Sequence, residues 1–133
     1  MSPKKILLID DEHDIRIVAG LSLRRVGKFE VATAENGEEG LVKIKADPPD
    51  LVLLDMMMPG MDGLTVFDRI LADPLTKNIP VIFLTARVQA TEKEKYIARG
   101  ARGVIEKPFN PMLISQQVLD LLPERETVIS AAI

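Results

Sequence analysis

Five short apolar runs recur along the chain, each separated from the next by a stretch with helical spacing. They are KILLID (5–10), FEVATA (29–34), DLVLLD (50–55), IPVIFLT (79–85) and GVIEK (103–107). Runs this short, rich in Val, Ile, Leu and Phe, read as strands. Their near-continuous apolar character is that of strands covered on both faces. Strands alternating with helices at this spacing imply βαβ units, hence a mostly parallel sheet with helices on both sides.

The intervening stretches carry their own start and stop signals. In the first, Ile15, Val18, Ala19, Ser22, Leu23 and Val26 fall at helical spacing. The second is expected to open at Asn36, with Glu39 at capping-box distance, and to stop at Pro48-Pro49. The third runs from Asp62-Gly63 to Asp73-Pro74. The fourth has Thr91 and Glu94 at capping-box spacing and ends at Gly100. The fifth takes Asn110 as N-cap and Pro111 as its first helical residue, then continues to Leu122. Residues 1–122 are therefore expected to form one domain, with 123–133 a helix extension or linker stub.

Bulk properties remove several function classes. A formal net charge of −3 argues against a nucleic-acid footprint spread over the whole domain. The absence of cysteine excludes disulfides and thiolate metal sites, and is compatible with a reducing cytoplasm. No apolar run approaches the roughly 18 residues of a membrane span. A soluble, cytoplasmic protein is expected.

The chemistry collects where the strands end. The first ends in Asp10-Asp11-Glu12, the third in Asp55, the fourth in Thr85 and the fifth in Lys107. In a parallel sheet these ends share one edge, and ligands of open α/β sheets bind there. Because burying an unpaired carboxylate is costly, Asp55 is expected at the mouth of a site and not inside the protein. Three clustered acids repel one another, and a hard divalent cation such as Mg²⁺ relieves that repulsion. A carboxylate also serves as a nucleophile toward phosphorus, and Lys107, Thr85, a metal and backbone N–H groups are suitable partners for phosphoryl oxygens. The Met56-Met57-Met58 run reads as packing, since thioethers suit soft metals and no other soft ligand is present. Gly60 and Gly63 read as turn residues, and His13 as an exposed helix residue.

Taken together, IDDE (9–12), LLDMMMPGMDG (53–63), LTA (84–86) and KPF (107–109) resemble the receiver domain of two-component response regulators, over residues 4 to 122. The resemblance implies a flavodoxin-like α/β fold with a five-stranded parallel sheet of order 2-1-3-4-5. It implies that Asp55 is the phosphoacceptor, that Asp10 and Asp11 hold Mg²⁺, and that the Met57 carbonyl completes the metal shell. Thr85 matches the switch hydroxyl. Lys107 matches the lysine that contacts a phosphoryl oxygen, and its bond to Pro108 is cis in such domains. Implied partners are a histidine kinase or phosphotransfer protein, and a downstream effector domain or protein. A homodimer through the face of helix 4, strand 5 and helix 5 is a further expectation, with no direct nucleic-acid or membrane binding. Val104 departs from the family pattern, in which an aromatic residue often stands three positions before the lysine. The resemblance also implies that Met57 and Arg87 occupy the two positions that, in this family, flank the path of the hydrolytic water.

Other functions fit less well. A phosphatase with an aspartyl-phosphate intermediate needs a second Asp two residues after its nucleophile, where this chain has Met57. A flavin or nucleotide binder wants a Ser/Thr/Gly-rich loop after the first strand, where Asp10-Asp11-Glu12 would repel phosphate. A phosphorylation-independent interaction module would be expected to lose the acids or the lysine, and all are intact. The expected activity is therefore that of a phosphoacceptor promoting its own phosphorylation and dephosphorylation, not an enzyme with external substrates.

Overall fold

A computed structural model describes residues 4–86 and 89–122. The elements follow in strict alternation: β1 (Lys5–Ile9), α1 (His13–Arg25), β2 (Glu30–Ala34), α2 (Gly37–Ala46), β3 (Leu51–Asp55), α3 (Gly63–Ala72), β4 (Val81–Thr85), α4 (Ala90–Ala98), β5 (Gly103–Glu106) and α5 (Ile114–Leu121). All neighbouring strands are parallel, in the order β2-β1-β3-β4-β5. This is the expected flavodoxin-like arrangement.

Period-two alternation divides each central strand between two cores. Leu7, Ile9, Val52, Leu54, Val81 and Phe83 pack with α2 and α3 through Ile44, Val66, Phe67 and Ile70. Ile6, Leu8, Leu51, Leu53, Ile82 and Leu84 pack with α1 and α5 through Ala19, Leu23, Ile114 and Val118. Because β1 sends its helix to one side and β3 sends its helix to the other, a crevice opens at their carboxyl ends.

The helix starts divide into those set locally and those set by packing. Asn36 Oδ1 accepts the Glu39 N–H at 2.8 Å, and Asp62 Oδ1 accepts the Thr65 N–H at 2.9 Å, as capping side chains do. Glu39 reaches back to the N–H of Glu35 and not to that of Asn36. The capping box expected at Thr91 does not form: α4 starts at Ala90, with Gln89 as a cap residue whose side chain makes no capping bond. At α5, Asn110 does cap, accepting the Met112 N–H at 2.9 Å, but it caps a turn. The regular helix begins only at Ile114, where Ile114 and Val118 reach the core. Val18, Val26 and Val42 are exposed despite their helical spacing, because α1 buries Ala19, Gly20, Ser22 and Leu23, and α2 buries Gly37, Gly40 and Ile44. Residues 123–133 lie outside the described residues.

Gly63 has a different role from the turn expected of it. A Cβ there would sit 2.5 Å from the Asp55 carbonyl oxygen and 2.8 Å from Met56 Cα. The Gly63 N–H donates to the Met56 carbonyl at 3.0 Å. Only glycine lets the start of α3 press this closely on the end of β3.

Candidate functional site

Four strand ends converge on the crevice. Asp10 and Asp11 directly follow β1, Asp55 closes β3, Thr85 closes β4, and Lys107 follows β5. Lys107 reaches the acids because its N–H is held by the Thr85 carbonyl at 2.7 Å, continuing the β4–β5 ladder one residue past the strand. Its peptide bond to Pro108 is cis.

Asp55 is buried, with 2% of its surface exposed, and Asp10 is fully enclosed. The expectation that Asp55 would sit in the open is therefore overturned. A cation carried in from β5 makes the burial tolerable: Lys107 Nζ lies 2.8 Å from Asp10 Oδ2 and 3.3 Å from Asp55 Oδ1. Backbone donors assist. Asp10 Oδ1 accepts the Glu12 N–H at 2.8 Å, and Asp55 Oδ1 accepts the Met57 N–H at 3.2 Å. Asp11 is exposed at the rim.

These partners do not satisfy the acids completely. Asp10 Oδ2 and Asp55 Oδ2 are buried without a well-angled hydrogen-bond donor. One carboxylate oxygen from each of Asp10, Asp11 and Asp55 lies within 4.8 Å of the others, a spacing that suits a shared cation. The donors are hard oxygens, the ligand type preferred by Mg²⁺. Burial pushes the Asp55 carboxyl from 3.8 up to about 7, with Asp11 and Asp10 adding to the rise and Lys107 and the Met57 N–H opposing it. Burial pulls the Lys107 ammonium down, but Asp10, Asp55 and Glu12 outweigh it and hold the group above its ordinary value. An acidic pocket that disfavours its own charge is one that a divalent cation would stabilise.

Thr85 is buried at the neighbouring strand end, beside the crevice. The Met57 side chain is 73% exposed, and its backbone N–H faces Asp55. Val104 is buried in β5, paired in register with Phe83. His13 is exposed at the first position of α1. Arg87 lies outside the described residues.

Two residues at the site were not singled out by sequence reasoning. Glu12 Oε1 lies 3.2 Å from Lys107 Nζ, making a third claim on the same ammonium. Arg16 Nη1 donates to the Asp10 carbonyl at 2.8 Å and pins the strand end. Their only signal was position: Glu12 closes the acidic triplet, and Arg16 follows one helical turn later.

Known proteins resemble this chain over most of its length. The family model for the response regulator receiver domain matches residues 6–119. The alkaline phosphatase synthesis transcriptional regulatory protein PhoP of Bacillus subtilis is 36% identical over 123 residues, which is 92% of this chain and 50% of that protein. The phosphate regulon transcriptional regulatory protein PhoB of Pseudomonas aeruginosa is 40% identical over 111 residues, covering 84% of this chain and 48% of that protein. The chain thus spans about half the length of these relatives. Among solved structures, the chemotaxis protein CheY4 of Vibrio cholerae superposes with a TM-score of 0.82 at 30% identity, covering 91% of this chain and 100% of the other.

Proposed function

This chain belongs to the response regulator receiver domain family, and on that premise we propose that Asp55 accepts a phosphoryl group from a histidine kinase or phosphotransfer protein. It is a receiver domain of two-component systems. The observation that carries the finer reading is the pair of buried carboxylate oxygens without a fitting donor, Asp10 Oδ2 and Asp55 Oδ2, beside the Lys107 ammonium.

In the transfer, a bond forms between an Asp55 carboxylate oxygen and phosphorus while the bond from phosphorus to the donor atom breaks. Charge gathers on the phosphoryl oxygens. Lys107, whose ammonium stands 3.3 Å from Asp55 Oδ1, neutralises part of it. Asp10, Asp11, Asp55 and the Met57 carbonyl would hold Mg²⁺, which when bound stabilises charge on the transferring oxygens. The burial of Asp55 keeps bulk water away and strengthens these interactions. Met57, exposed at the rim, tunes how easily hydrolytic water reaches the phosphoryl group.

The modification adds about 1.5 to 2 negative charges at the end of β3. Thr85, buried at the adjacent strand end, would answer that charge with its hydroxyl. Its movement would repack the face of α4, β5 and α5; Ile97 is exposed on α4, and Met112 and Leu113 are exposed in the turn that leads into α5. That face is the proposed contact with an effector domain or protein, or with a second copy of the chain. Charge reversals on α4 that left phosphorylation-dependent binding intact would remove it from consideration.

The direct test is the mass of the protein after incubation with acetyl phosphate and Mg²⁺. One added phosphoryl group, requiring Mg²⁺ and absent in Asp55→Asn, is expected. No gain, with a kinase also tried, would favour a phosphorylation-independent interaction module on the same fold.

A further inference from the structure

The helices are anchored very unequally. Helices α1 and α3 bury four residues each, and α2 and α5 bury three each. In α4 none is buried; every residue of Ala90–Ala98 is exposed except Tyr96, which is partly buried. We propose that the Tyr96 ring is the latch that, among the described residues, chiefly docks α4 on the sheet, and that phosphorylation at Asp55 shifts its docking equilibrium.

The latch has a defined seat. The Tyr96 ring lies 5.5 Å from that of Phe83, tilted by 53°. Phe83 is fully buried and meets Phe67 of α3 edge-on at 5.3 Å. Val104, opposite Phe83 in register, belongs to the same apolar cluster. Aromatic contacts of this kind add to simple area burial.

Among the described residues, little else holds the helix. Ile97 is 45% exposed. The ion pair of Arg99 with Asp68 lies at the surface, and such pairs contribute little. A nine-residue helix does not persist without tertiary support. At its C-terminal end, Gly100 turns the chain with φ +116, and the Ala101 N–H returns to the Tyr96 carbonyl at 3.1 Å. The chain is thus secured just past α4, while among the described residues of the helix only the Tyr96 ring joins the apolar cluster under it.

The seat is connected to the site. Phe83 and Thr85 are two residues apart in β4 and so share one face of the sheet. A displacement of β4 at Thr85 changes the surface on which Tyr96 rests. This signalling half of the proposal rests on the phosphoacceptor reading given above; the latch itself does not.

Hydrogen exchange on the full chain tests both halves. In Tyr96→Ala, amides of residues 90–98 are expected to exchange about ten-fold faster, equivalent to about 1.4 kcal/mol of local opening, while α1 and α5 are unchanged. Tyr96→Phe keeps the ring and should stay within about two-fold of wild type. A Tyr96→Ala protein within two-fold of wild type, or one accelerated equally in α1 and α5, would overturn the latch.

For the signalling half, beryllofluoride with Mg²⁺ stands in for the phosphoryl group. Exchange in 90–98 should change by at least about three-fold in wild type and not in Asp55→Asn. Tyr96 is the only tyrosine and tryptophan is absent, so tyrosine emission follows the same event. Unchanged exchange and emission in protein shown to bind beryllofluoride would overturn the coupling. Failure of Asp55 to take up phosphoryl from acetyl phosphate would overturn the site reading and the coupling together, with Tyr96→Ala still deciding the latch.

Discussion

The Lys107 ammonium stands 3.3 Å from Asp55 Oδ1, two groups at the ends of different strands that each have only a small share of exposed surface. The same ammonium lies 2.8 Å from Asp10 Oδ2, so one cation serves two enclosed acids. Removing one member of a buried charge cluster leaves the others uncompensated. Lys107→Ala is therefore expected to destabilise the metal-free protein by about 1–3 kcal/mol at pH 8, less than a fully charged buried pair would lose, because Asp55 takes up a proton. Urea denaturation checks this, and Mg²⁺ should restore much of the loss. An unchanged midpoint would show that the acids do not depend on the lysine.

The raised Asp55 pKa sets a pH dependence whose sign can be worked out. Unfolding returns the carboxyl from about 7 to 3.8, so the folded state holds the proton more tightly. The stabilising contribution is complete below pH 3.8 and is lost as pH rises through about 7. Asp55→Asn cannot ionise and escapes that loss. In metal-free buffer its stability advantage over wild type should widen between pH 4 and 8, reaching at most about 4 kcal/mol. Denaturation midpoints at several pH values measure it. A gap that stays constant with pH would mean that Asp55 does not carry the effect.

Glu12 divides the loyalty of Lys107, at 3.2 Å. Its side chain is 60% exposed, so the interaction is a weak surface one. Glu12→Gln should free the ammonium for a phosphoryl group on Asp55 and speed labelling by acetyl phosphate about two- to five-fold. Glu12→Asp keeps the charge and shortens the reach. If it behaves like wild type, general field and not contact is responsible. Slower labelling in Glu12→Gln would reverse the assigned role.

Gly63 couples the fold to the site. A methyl group there would meet the Asp55 carbonyl oxygen at 2.5 Å, and backbone does not yield cheaply. Gly63→Ala is expected to cost about 2–3 kcal/mol and to weaken Mg²⁺ binding, since the end of β3 must shift. Thermal denaturation and a Mg²⁺ titration test the two parts separately. Near-wild-type values for both would show that α3 can move away freely.

Much of this was legible in the chain alone. Strand identity follows from short Val- and Ile-rich runs, and parallel pairing from their alternation with helices. Asn36 and Asp62 cap as their spacing suggests, because a cap is satisfied within three residues. The gathering of Asp10, Asp11, Asp55 and Lys107 at one edge also follows, since all strands of a parallel sheet point the same way.

What the sequence could not show depended on meetings between distant residues. Lys107 could be placed at the same edge, but not its 3.3 Å approach to Asp55, which is what makes burial of that carboxylate tolerable. Glu12 and Lys107 are separated by 95 residues, and no local period records their contact. The exposure of Val18, Val26 and Val42 and the late start of α5 were set by which helix face met the sheet. The type and order of the elements and the chemistry of the strand ends could be read from the chain, because those rest on backbone periodicity and local hydrogen bonds. Tertiary structure alone decided which charges are buried and which helix is left lightly held, because desolvation and packing are properties of the closed surface and not of the chain.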